Sequence, residues 1–228
     1  MFDHQKPLNV ALNITNIVGY KQTANRINNI ICNMLPVNKD KFLISSAIDF
    51  INGQQYNSDD SQKLFKNKTN LPSHLRLQQG VRVMYLKNNL IEQNICNGTI
   101  GIVTDINLES LKVRIAFSVM GGIIDIEIKK ETTTFIIDGK PSSRCQFPLQ
   151  NAFALTVHKT QGLTLTEISL CLDQQIFSAG QAYVALSRCS DWTKVHIASL
   201  HPSAFITDSS MIKEYERLEL KAAIPLPL

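Results

Sequence analysis

The stretch Ala154-Leu155-Thr156-Val157-His158-Lys159-Thr160-Gln161-Gly162 sets a hydroxyl, an imidazole, an ammonium and a carboxamide in close succession behind apolar residues. Phe153, Ala154 and Leu155 suit a strand that delivers the chain to a sheet edge, and Thr156 is expected to cap a short helix by accepting a backbone N–H. Polar groups just beyond the carboxyl end of a strand lie where open α/β sheets bind ligands. The plain alternative is a surface turn with ordinary polar residues. A second stretch, Gln181-Ala182-Tyr183-Val184-Ala185-Leu186-Ser187-Arg188, fits a short amphipathic helix with Ala182, Ala185 and Leu186 on its buried face. Gln181 and Arg188 sit two helical turns apart and point in similar directions, about 10 Å apart along the axis. An arginine at a helix end is commonly a solvated group or a favourable dipole partner. It is also the group that stabilises charge on a transferring phosphoryl, where it is worth roughly a thousandfold in rate.

The elements that must position these residues alternate in kind. Leu8 to Ile14 has the patterning of a strand, and Gln22 to Leu35 places Ile27, Ile30, Ile31 and Met34 at helical spacing before Pro36 ends the helix. The polar run from Gly53 to Asp60 predicts an exposed loop. From Leu75 the period becomes two. Val81–Leu86, Thr99–Thr104, Leu111–Ile115 and Ile124–Lys129 predict strands, with turns at Asn97-Gly98 and Gly121-Gly122. Such short strands suggest a small antiparallel barrel or curled sheet. Beyond Pro141 the pattern returns to mixed α/β, with strands at Asn151–Leu155, Ile168–Leu172 and Val195–Ala198 and a helix near Gln181–Ser187. The β-rich segment is therefore expected as an insert in a discontinuous α/β domain.

Composition sets wide bounds. The 228 residues are 44% hydrophobic and 18% charged, which excludes a disordered tail. A net charge of +4 is compatible with nucleic acid without demanding it. The five cysteines are scattered and form no C-x-x-C pair, so reduced thiols are expected, not a disulfide framework. His196 and His201 lack a neighbouring cysteine pair, so no metal site is expected. The N-terminal residues do not form a signal peptide and no apolar run is long enough to span a bilayer, so no membrane partner is expected.

With both motifs in view, the chain resembles superfamily-one DNA helicases of the PIF-type, RecD-like branch. The segments Phe153–Leu165 and Gln181–Cys189 are similar to the last two motifs of that family, in order and at family-like spacing. Glu167–Asp173 is similar to the strand between them, Cys145–Leu149 to the lead-in, and Leu75–Asn88 followed by Cys96–Ile106 to a small inserted Src-homology-3-like barrel. The resemblance implies an α/β fold: a second RecA-like motor domain, incomplete or discontinuous, with an inserted small β-barrel. It divides the chain into an N-terminal part of that domain (1–70), the barrel (71–145) and a C-terminal part with the two motifs (146–228). It implies that Thr156 and His158, with Lys159 beside them, contact single-stranded DNA. Gln161 and Gly162 would couple the DNA track to nucleotide, Arg188 would be the catalytic group at the γ-phosphate, and Gln181 and Tyr183 would lie near it. The implied activity is ATP-dependent movement toward the 3′ end of a DNA strand, in the nucleus or mitochondrion.

Departures from the family pattern bear on activity. No G-x-x-x-x-G-K-[ST] loop occurs; Gly139-Lys140 is followed by Pro141 and lacks the earlier glycine. No acidic pair on a strand resembles the family's metal-binding motif. ATP with Mg²⁺ would therefore be held mainly by a missing N-terminal motor domain, and the chain alone is expected to be inactive. The alternatives are a non-enzymatic single-stranded DNA-binding module, or remnant of a helicase gene, and an unrelated α+β protein with a barrel subdomain.

Overall fold

The computed structural model describes residues 12–57, 63–65 and 67–222. In chain order the strands are β1 (Thr15–Val18), β2 (Phe42–Ser46), β3 (Ile48–Ile51), β4 (Gln54–Tyr56), β5 (His74–Gln78), β6 (Arg82–Tyr85), β7 (Ile100–Asn107), β8 (Lys112–Val119), β9 (Gly122–Ile128), β10 (Glu131–Ile137), β11 (Lys140–Gln146), β12 (Leu149–Asn151), β13 (Ala154–Thr156), β14 (Ile168–Leu172) and β15 (Val195–Leu200). The helices are α1 (Lys21–Met34), α2 (Val157–Thr160), α3 (Gln181–Leu186) and α4 (Ser209–Ala222). The chain forms two compact units, one running to Arg26 and resuming at Ala154, the other covering Ile27–Phe153.

The first unit is built on a four-stranded, all-parallel sheet of order β13-β1-β14-β15. Ile17, Val18, Ala154, Leu155, Ile168 and Leu170 are buried almost completely, as strands covered on both faces require. The central β1 comes from far upstream of its neighbours, which makes this unit discontinuous. Part of the strand expected from Leu8 lies outside the described residues; Leu12 and Asn13 are helical and the strand begins at Thr15.

The second unit is antiparallel. β12-β6-β7-β8-β9 form a five-stranded sheet, β10-β11-β3-β4 a four-stranded one, and β2 pairs with β5. The period-two segments thus appear as strands β6 to β9. Gly121 and Gly122 turn the β8–β9 hairpin with φ of 107° and 133°, which side chains oppose. Segments upstream of residue 71 are woven into this unit: β3 pairs with β11, and the Gln146 side chain accepts a 2.7 Å bond from Ser45 Oγ while donating to Ser45 O. The run expected as a loop from Gly53 contains β4, joined to β3 through Asn52 and Gly53, both at positive φ. Across the β3–β11 strand pair, Arg144 clamps Asp49 through Nε (2.8 Å) and Nη2 (2.6 Å), donates to Leu71 O, and stacks over Phe65.

α1 matches its expected span, but its inward residues are Ala24, Asn28, Ile31 and Cys32, whereas Met34 is exposed. No helix of the described residues is long and apolar enough to cross a membrane.

Candidate functional site

β13 ends at Thr156 and the chain turns at once into the single turn of α2. The capping expected of Thr156 is absent: its side chain makes no bond to the helix N-terminus. The turn is held instead by Thr160, a fully buried residue whose Oγ1 donates to Val157 O at 2.8 Å. Val157 faces inward, which leaves His158 exposed, Lys159 half-buried, and Gln161 and Gly162 in solvent. Burial lowers the Lys159 ammonium's affinity for its proton, and the nearby charge of Lys21 adds to this.

Arg188 joins the two motifs. Its Nε donates to Val184 O at 2.8 Å, closing the end of α3. Its Nη1 reaches Leu163 O at 3.2 Å and Thr160 O at 3.4 Å, and Nη2 donates to Ser187 Oγ at 2.7 Å. The Arg188 backbone carbonyl in turn accepts from Leu165 N at 2.8 Å. The guanidinium therefore sits between α3 and the loop that leaves α2, with most of its donors on backbone carbonyls.

Gln181 and Tyr183 part company. Tyr183 is 75% exposed, whereas Gln181 is buried, with Oε1 accepting from Phe177 N (2.9 Å) and Ser178 N (3.2 Å). Its Nε2 is buried with no acceptor. Gln181 thus fixes the β14–α3 loop, a role that only the tertiary structure reveals. The same loop is shaped by Asp173. Burial pushes its carboxyl up, but bonds from Ser199 Oγ and Gln175 N together outweigh this and bring it below the usual carboxylate range.

Sequence reasoning also missed a pair of rings. Tyr20, just past β1, and Phe177, past β14, stack with centroids 5.5 Å apart and planes 9° from parallel. The His158 ring lies 6.4 Å from Phe177. Tyr20 and Phe177 are far apart in sequence, so no local pattern announced them. Among the described residues no group of three His, Cys, Asp or Glu is placed to hold a metal ion.

The model of the family described as DNA helicase Pif1, 2B domain, matches residues 66–106. The ATP-dependent DNA helicase PIF1 of Rattus norvegicus is 32% identical over 145 residues, which are 63% of this chain and 22% of that protein. The ATP-dependent DNA helicase Pif1 of Bdellovibrio bacteriovorus is 33% identical over 158 residues, 68% of this chain and 34% of that protein. The chain thus spans about a fifth to a third of these relatives. The crystal structure of Pif1 helicase from Candida albicans aligns with a TM-score of 0.75 at 23% identity, covering 91% of this chain and 50% of that one. That of Bacteroides Pif1 bound to ssDNA gives 0.65 at 24%, covering 92% and 46%. A further Bacteroides Pif1 structure, in complex with ADP-AlF4, gives 0.61 at 24%, covering 96% and 48%. In sequence and in fold, this chain resembles the C-terminal portion of the PIF1-type DNA helicases.

Proposed function

We propose that the chain supplies the C-terminal motor lobe of an ATP-dependent, 5′-to-3′ DNA helicase, with the parallel sheet as its second RecA-like domain and the antiparallel unit carrying a Src-homology-3-like barrel. The observation that carries this reading is the Arg188 guanidinium, which ties the loop after the His158 turn to the end of α3. A group shared by both motifs is what a motor needs to make DNA contact depend on nucleotide state. Thr156 and His158, with Lys159 behind them, would take the phosphates of a single strand.

The residues present suit the phosphate end of ATP, whose hydrolysis supplies the driving energy when it is bound. Arg188 would present its guanidinium by exchanging the long Thr160 and Leu163 bonds for phosphate oxygens. The Nε2 of Gln181 is unpartnered but buried and would reach a phosphate only if the β14–α3 loop moved, whereas the exposed Gln161, Gly162 and Tyr183 lie within the same two motifs. The described residues offer no carboxylate cluster suited to Mg²⁺; that ion would be held, with most of the nucleotide, by a first motor lobe.

Two measurements on the purified chain test the reading. Binding of a labelled single strand should weaken steeply with salt, and Thr156→Ala and His158→Ala should each lower affinity by the same factor for every sequence. ATP turnover with single-stranded DNA should be absent from the chain alone; brisk turnover overturns the half-motor reading. The engagement of Arg188 with backbone carbonyls favours a second reading, a non-enzymatic single-strand binding module. Under it, adding a first lobe restores no turnover, and Arg188→Lys only loosens the loop after α2.

A further inference from the structure

Tyr20 and Phe177 are 46% and 54% exposed although they stack on one another. A ring pair that served only packing would be covered; these two keep about half of their surface in water. Their positions are set firmly from behind. A Cβ on Gly19 would fall 1.8 Å from Gln175 O, so only glycine lets the chain leaving β1 pass against the loop leaving β14. That close passage brings the two rings together. Gln181 Oε1 holds Phe177 N, and Asp173 Oδ1 holds Gln175 N, so the loop bearing Phe177 is pinned on both sides of Ile176. His158 stands near the pair, and Lys21 and Lys159 are close enough to feel each other's charge.

We propose that Tyr20 and Phe177 form a pre-built aromatic step on which a base of single-stranded DNA stacks, while Lys21, His158 and Lys159 attract the adjoining phosphates. Every base has a π-face, so the step reads no sequence and suits a protein that must pass along a strand. An offset stack left open to solvent is the arrangement an added ring extends. This inference rests on the single-strand reading above and adds to it two residues that lie outside both motifs.

The test uses the full chain and two oligonucleotides of equal length, oligo-dT and its abasic analogue. Base stacking contributes about 1–3 kcal/mol per base, so the chain should prefer oligo-dT by about 5- to 150-fold. Phe177→Ala and Tyr20→Ala should erase most of that preference and leave the salt dependence unchanged. Lys159→Ala should do the reverse. Phe177→Trp in a Trp192→Phe background should keep the preference, and its emission should be quenched by oligo-dT and not by the abasic strand. Equal affinity for the two strands, or an unchanged preference in Phe177→Ala, overturns the step while salt-sensitive binding upholds the single-strand reading. No binding to either strand overturns both, and a preference for oligo-U over oligo-dT overturns the assignment to DNA.

Discussion

Arg188 shows how one side chain can hold two motifs in register. Its bond to Val184 O is short at 2.8 Å, whereas those to Leu163 O at 3.2 Å and Thr160 O at 3.4 Å are long, and these two are the contacts it would surrender under the proposed engagement of phosphate. Residue chemistry also separates the cysteines. Cys32 is buried in the face of α1, and burial pushes its thiol up to about 11, against the opposing pull of the Arg76 charge; Cys96 is exposed. A raised thiol pKa keeps the unreactive protonated form at neutral pH. At pH 8, iodoacetamide should modify Cys96 rapidly and Cys32 only after denaturant is added, as read by peptide mass spectrometry; prompt labelling of Cys32 in the native chain would refute its burial. At this scale the sequence named polar residues by type, and the structure adds that His158, Gln161 and Tyr183 are exposed. The sequence could not show that Gln181 is buried and holds Phe177 N and Ser178 N, because a carboxamide bonded to its own loop is indistinguishable by type from an open one.

Among the elements, β3 and β11 are joined by more than their ladder. Arg144 is 5% exposed and Asp49 0%, and two bonds run between them. Removing one partner strands the other charge in the interior. Asp49→Ala should cost about 3–5 kcal/mol, and the double variant Asp49→Ala with Arg144→Met should recover much of it, measured by urea unfolding. A small loss for Asp49→Ala would show that the guanidinium finds other acceptors. β8 was legible because alternation is local and one face is buried, as the Val113, Ile115 and Phe117 series shows, whereas β6 is buried on both faces at Val83, Met84 and Tyr85 and was legible as a short apolar run. β4 was not, since Gln54, Gln55 and Tyr56 are all exposed and carry no alternation. The Asn52-Gly53 turn before it was the available sign, and its positive φ angles are those of a tight hairpin. The Arg144–Asp49 clamp left no trace at all, as pairing across such a separation has no periodic signature.

In the whole molecule, the parallel sheet depends on a strand borrowed from upstream. β1 lies between β13 and β14 and bonds to both. Deleting residues 1–26 removes the centre of the sheet, so Ile168–Leu172 should become open to limited proteolysis, while Val113–Phe117 in the other unit should stay protected. Protection of both segments would mean that β13 and β14 can close the gap without β1. The same borrowing dictates a timetable on the ribosome. The antiparallel unit emerges whole and can fold at once, but β1 must wait, apolar and unpaired, until translation reaches the residues of β13 and β14. A nascent Ile17 and Val18 are thus natural clients for chaperones, and slowing elongation between them and Leu170 would prolong that exposure and lower the soluble yield.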